Sequence, residues 1–216
     1  MVTALQKVLL TGFDAFGGAS VNPSWLAVQA LDGEVLAGHK LIAARIPTTF
    51  SGSVKELSRL VRVHTPALVI CVGQAGGRSA ISLERVAINI ADASMGDNDG
   101  ATPVDVPVNP KGPAAYFSTL PIKAMLVALQ QVGIAAEVSQ TAGTFVCNHA
   151  FYALMQMLAK RGKAAGIRGG FIHVPWVPEQ GYPSMELADM VKGLRVATDC
   201  ALNTSVDTAH QAGRVS

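Results

Sequence analysis

Ala67-Leu-Val-Ile-Cys71-Val-Gly73 is a near-continuous apolar run closed by glycine. A strand of this composition is at home only where both of its faces are covered, at the centre of a parallel sheet flanked by helices. The neighbouring segments fit that setting because their hydrophobic period alternates between extended and helical. Lys7-Val-Leu-Leu-Thr-Gly12 and Lys40 to Ile46 read as strands, the second stopped by Pro47. Ile81 to Ile90, Ala136 to Gln140 and Gly170 to Pro175 read as three more. Between them lie helical patterns. One starts at Asn22-Pro23, an N-cap followed by a first-turn proline. A second spans Ser51 to His64, with Val54, Leu57, Leu60 and Val61 on one face. A third opens at Thr119-Leu-Pro121 and stops at Gly133. From Cys147 onward, Ala150, Phe151, Leu154 and Leu158 recur at helical spacing, and Ser184 is placed to cap a last long helix. Residues 91–113, rich in Asp, Gly, Asn and Pro, read as a long ordered loop with room for a short hairpin. The expectation is an α/β fold, a three-layer α/β/α sandwich on a mostly parallel, doubly wound sheet, forming one domain over residues 1–216.

Of the 216 residues, 50% are hydrophobic and 15% charged, enough apolar material for a large core. A net charge of +2 without long charged runs gives no reason to expect nucleic acid or a membrane surface as partner. No apolar run reaches the roughly 18 residues that span a bilayer. Met1 to Lys7 leads directly into a strand and lacks the order of a signal peptide. Three widely spaced cysteines make neither a disulfide framework nor a zinc site. A cytoplasmic, reduced protein without metal or cofactor is the economical reading.

Ser139-Gln-Thr-Ala-Gly-Thr-Phe-Val-Cys147-Asn-His-Ala150 reads as a strand, a glycine turn and a helix start. Unpaired N–H groups and the positive end of the helix dipole would lower the Cys147 pKa and make its sulfur a nucleophile. The plain alternative is a small buried hydrophobe sharing a face with Ala150, Phe151 and Leu154. Glu84 and Arg85 stand together in an apolar strand, so one charge faces inward and needs a partner. That partner is either an ion pair stapling strand to loop or a histidine that the carboxylate orients. His173 ends a buried strand at the sheet edge expected to carry the Gln74 loop and Cys147, and its plain reading is a satisfied core histidine. Glu84, Cys147 and His173 could meet there as the Cys–His–carboxylate set that activates a thiol for acyl transfer. Cys71 and Cys200 read as packing, His64 as a structural residue suited to a helix C-terminus, and His39 and His210 as exposed. The loop Phe13-Asp-Ala-Phe16-Gly-Gly18 fits no phosphate-binding pattern. Its two rings either wall an apolar ligand or pack beneath the loop.

Four stretches carry a specific resemblance. They are Thr11 to Gly18, Gly73 to Arg78 with Leu83 to Asn89, Ser139 to Asn148, and Phe171 to Pro175 with Pro178-Glu-Gln180. In this order the chain resembles the type I pyroglutamyl peptidases (pyrrolidone-carboxylate peptidases), over nearly its whole length. The resemblance implies metal-free, cofactor-free hydrolytic removal of an N-terminal pyroglutamyl residue from peptides. It implies Cys147 as nucleophile, His173 as general acid and base, and Glu84 as the group that orients the imidazole. Phe13, Phe16, Phe145 and Val146 match the family's pocket. Gln74 and Asn22 are candidates that could instead hold loops. The resemblance also implies a homotetramer. One departure stands out: where members of the family carry an arginine near the active site, this chain has Ser94. Arg78 or Arg85 could compensate. Otherwise the chain could be a non-catalytic binding module on the same fold. A phosphorylase-like enzyme ranks last because no phosphate motif is present.

Overall fold

The computed structural model describes residues 5–162 and 166–213, so residues 1–4 of the segment leading into the first strand lie outside the described residues. In chain order the elements are β1 (Gln6–Phe13), α1 (Pro23–Gln29), β2 (Val35–Leu36), β3 (His39–Ile46), α2 (Phe50–His64), β4 (Leu68–Gln74), β5 (Ile81–Glu84), β6 (Val86–Ile88), β7 (Ala115–Phe117), α3 (Ile122–Gln131), β8 (Ala136–Ser139), α4 (Val146–Arg161), β9 (Arg168–Val174), a 3₁₀ turn (Pro178–Gln180) and α5 (Leu187–Asn203).

Seven strands form the main sheet in the order β2-β3-β1-β4-β9-β5-β8, with β4 near the centre. Alternation along β4 sends Leu68, Ile70 and Val72 to one face, where they join Val28, Met125 and Leu194 of α1, α3 and α5. It sends Val69 and Cys71 to the other face, with Leu57 of α2 and Phe151 and Leu154 of α4. Two apolar cores therefore sandwich the sheet, and the expected α/β/α architecture holds. Truncating the Leu, Ile, Met or Phe side chains among these to alanine costs about 2–5 kcal/mol.

Strand direction departs from the simple parallel picture at both ends of the sheet, where β2 pairs antiparallel with β3 and β5 with β9. β3, β1, β4 and β9 run parallel, but β5 pairs antiparallel with β9 and parallel with β8. The C-terminal ends of β5 and β8 thus point away from the edge at which β4 and β9 end. Glu84 is level with Phe171, one alternation short of His173, so the site forms on a face of the sheet near that edge rather than along the edge.

The single strand expected over 81–90 is two strands. After Glu84 the chain leaves the main sheet, and β6 pairs antiparallel with β7 as a separate ribbon. The ribbon is tied to α4 by buried Asn148, whose amide nitrogen donates to the Ile88 and Ile90 carbonyls at 2.9 and 3.0 Å. Its oxygen accepts from the Ile88 N–H at 3.0 Å. The hairpin anticipated in 91–113 is thus built from its flanks, with one further bridge between Ala91 and Val106.

Ser184 does not cap α5. Glu186 occupies that position, and Ser184 instead bridges Trp176. His39 is half-buried, its ring nitrogens within bonding distance of Ala37 O and Gln6 Oε1. His64 ends α2, where burial, then Lys7 and Arg59, lower its pKa.

Candidate active site

Residue parity assembles the site. Gly73 is level with His173, and Cys71 with Phe171, in the β4–β9 pair. Ser82 is level with His173, and Glu84 with Phe171, in the β9–β5 pair. All six positions face the layer that contains α4. Cys147 is the second residue of α4 and is half-buried. Its Sγ lies against Gly73 so closely that a Cβ at that glycine would come within 2.8 Å. Hydrogen at that position, flush with the sheet, is what lets the thiol rest beside the strand that carries His173.

Glu84 is fully buried and His173 is 3% exposed, so any charge here needs a partner. His173 Nδ1 and Glu84 Oε1 are 2.7 Å apart. The same Oε1 accepts from Arg78 Nη1 at 2.7 Å, whereas Oε2 is enclosed without a partner among the described residues. Burial pushes the Glu84 carboxyl up, but the bonds to His173, Ser139 and Arg78 outweigh it and hold the group below its ordinary range. The inward carboxylate therefore meets both a histidine and an ion-pair partner, the latter Arg78 rather than Arg85. Arg85 points outward to Gln140 at 2.9 Å.

The expectation of a thiol with lowered pKa does not hold. Burial, then the negative charge of Glu84, push Cys147 up to about 12, and Arg78 offsets this only in part. The helix start is present, and Phe145 supplies no side-chain cap, so its leading N–H groups stay available. The thiol nonetheless faces an enclosed carboxylate.

A chain of rings runs past the start of α4. Phe16 and Phe145 are 6.0 Å apart between centroids, Phe145 and Phe50 5.4 Å, and Phe50 and His149 5.3 Å. Phe13 is 1% exposed and packs on Phe171, so it backs the site from within. Val146 is enclosed as the first residue of α4. Gln74 Oε1 accepts from Gln180 Nε2 at 3.1 Å, and Asn22 caps α1 while donating to Asp14 O at 2.9 Å, so both hold loops. A cleft of about 540 Å³ opens between Phe16, Gln74, Met95 and Trp176. Ser94 is exposed beside Met95, while Arg78 is bonded to Glu84 and Arg85 to Gln140.

Sequence reasoning missed the part played by Gly73, Phe50 altogether, and the pairing of Arg78 with Glu84. The glycine that ends the central apolar run was the available signal for the first. Phe50 lies outside the quoted motifs, and only the fold brings it to Phe145. Among the described residues no group of three or more His, Cys, Asp or Glu side chains could hold a metal ion.

The family model for pyroglutamyl peptidase matches residues 6–204. The chain belongs to the pyroglutamyl peptidase family. It is 52% identical to a pyrrolidone-carboxylate peptidase of Cupriavidus taiwanensis, covering 98% of this chain and all of that one. It is 49% identical to one of Bacillus cereus, over 97% of this chain and 99% of the relative. Among solved structures, pyroglutamyl peptidase I of Bacillus amyloliquefaciens superposes with a TM-score of 0.90 at 46% identity, covering 94% of this chain and all of that one. A pyrrolidone carboxyl peptidase variant from Pyrococcus furiosus gives 0.88 at 37%, covering 92% and 99%.

Proposed function

We propose that this chain is a cysteine-type pyroglutamyl peptidase, hydrolysing the bond after an N-terminal pyroglutamyl residue of peptides. The observation that carries the reading is the 2.7 Å Nδ1–Oε1 bond between His173 and Glu84, on the sheet face where Cys147 lies. Family membership gives it the substrate.

In this mechanism Glu84 accepts Nδ1–H and leaves Nε2 of His173 as the base. A thiol held protonated by its surroundings is activated at the moment of attack, when His173 takes its proton. The sulfur adds to the pyroglutamyl acyl carbon. The oxyanion draws on the N–H groups at the uncapped start of α4. Imidazolium then protonates the departing amine, leaving a thioester. Water, deprotonated by the now neutral His173, hydrolyses the thioester and restores the thiol. The flat, uncharged lactam suits the Phe16–Phe145 pair, with Phe13 and Val146 as the wall behind and Gln74 steadying the loop.

We extend the proposal to one catalytic domain, a cytoplasmic setting and a homotetramer, with no metal or cofactor. All three cysteines are free, as a reducing compartment favours. Exposed Phe117, Val104 and Val106, on and beside the β6–β7 ribbon, offer apolar surface for another copy.

The test is release of a fluorophore from a pyroglutamyl amide by the wild type and by Cys147→Ala. Turnover by the wild type alone is expected. Turnover by both would remove Cys147 as nucleophile, and turnover by neither, from folded protein, would overturn the peptidase reading.

A further inference from the structure

We infer that Arg78 is a positioning residue of the catalytic machinery, clamping the Glu84 carboxylate to the turn before α4 and so fixing the aim of His173. The inference rests on the peptidase reading and deepens it. Arg78 leaves the loop between β4 and β5 and reaches three acceptors. Nη1 donates to Glu84 Oε1 at 2.7 Å and lies 3.5 Å from Ser139 Oγ, while Nη2 donates to Thr141 O at 3.1 Å. Thr141 stands six residues before Cys147, so one guanidinium ties the orienting carboxylate to the turn that delivers the thiol.

The carboxylate needs this clamp because its bonding is one-sided. Oε1 takes both His173 and Arg78, and Oε2 takes nothing among the described residues. Without Arg78, a buried anion would be left with an uncharged imidazole as its main partner. It would rotate or take up a proton, and either change frees the imidazole. The groups facing Glu84 are His173 from β9, Arg78 from its loop, Ser139 from β8 and Cys147 from α4. Glu137, further along β8, accepts from Ser82, and Arg85 turns to Gln140. Arg78 is therefore the permanent cation at this carboxylate among the described residues. Lysine could supply the charge but not the fork that spans Glu84 and Thr141. A cavity of about 470 Å³, lined by Gly77, Arg78, Ser139 and Thr141, opens beside the guanidinium and gives a small cation access from solvent.

The experiment measures kcat and KM against pH for a pyroglutamyl amide, using wild type, Arg78→Ala and Arg78→Lys, with and without millimolar guanidinium. For Arg78→Ala, kcat should fall about 100-fold from lost alignment with KM little changed. Its acid limb should move up by about one pH unit or more, because Glu84 has lost a cation. Guanidinium should restore part of the rate. Arg78→Lys should keep the acid limb near that of wild type while kcat stays reduced. A kcat for Arg78→Ala within about threefold of wild type, or a loss with an unmoved acid limb and no guanidinium rescue, would overturn the inference. Should Arg78→Ala fail to fold, Arg78→Lys decides, since an unaltered kcat there removes the need for the fork. If the wild type itself releases no amine, the peptidase reading fails. The clamp is then read from the Glu84 carboxyl carbon by NMR, whose titration midpoint must be higher in Arg78→Ala than in wild type and near the wild-type value in Arg78→Lys.

Discussion

Replacing Gly73 with alanine would place a methyl group 2.8 Å from Cys147 Sγ and 2.8 Å from Phe171 Cζ. Unstrained contacts of this kind lie at about 3.5–4.0 Å, so one of the two neighbours must retreat by roughly 1 Å. Phe171 is fully buried, with rings of Phe151, His173 and Phe13 at 5.7, 4.8 and 6.2 Å, and it has nowhere to go. The thiol, half-buried at a helix start, moves instead. A displacement of that size in a reacting group costs about 100-fold in rate, or roughly 3 kcal/mol of barrier. The accompanying overpacking costs about 1–3 kcal/mol of stability. Gly169→Ala is the control. It creates a comparable clash on the same sheet face, 2.8 Å from Leu158 Cδ1 and 2.9 Å from Val69 O, well away from the thiol. The assay is kcat/KM for a pyroglutamyl amide, normalised to folded protein, alongside denaturant unfolding. Both variants should lose stability, and only Gly73→Ala should lose the rate. A Gly73→Ala enzyme within about threefold of wild type would show that the thiol's contact with the sheet is irrelevant to catalysis.

Three further outcomes follow from the same geometry. Because the Cys147 thiol is raised to about 12, the free enzyme holds it protonated through neutral pH. Its alkylation by iodoacetamide should keep accelerating as pH rises past 9, and a plateau reached near neutrality would instead reveal a preformed thiolate. Asn148→Ala leaves the Ile88 and Ile90 backbone groups without their buried partner, at a cost of roughly 3 kcal/mol, and unfolding with an unchanged denaturant midpoint would contradict this. Ser94→Arg should raise kcat on the pyroglutamyl amide, since Arg78 and Arg85 are both engaged elsewhere, and no gain would mean that the missing arginine is not missed.

The parts of the site legible in the chain were those announced by periodicity. Helical spacing begins at Cys147, so its place at a helix start could be read, and His173 closes an apolar run whose end marks the sheet edge. Glu84 was identifiable as an inward charge, but its ion-pair partner was not. Arg85 is adjacent in sequence, yet neighbouring strand residues project to opposite sides, and the cation comes from a loop six residues upstream. Strands of three residues such as β6 and β7 fall below the length at which alternation can be counted, so Ile81 to Ile90 looked continuous. The direction of β5 depends on a short loop reversing the chain, which composition does not encode. The state of the thiol is not legible in the chain for a related reason. The helix start is a local signal, whereas enclosure beside Glu84 depends on contacts between distant segments.

Asn148 gives the ribbon a meaning for anyone who would alter the chain. The side chain next to Cys147 grips the main chain of Ile88 and Ile90, so the root of the long 91–113 segment is mechanically continuous with the first turn of α4. Residues 99–102, by contrast, are exposed. Peptide tags or reporter insertions belong at that outer tip. A deletion of even one residue near the root would be transmitted directly to Cys147, and its damage would register as lost turnover before it registered as misfolding.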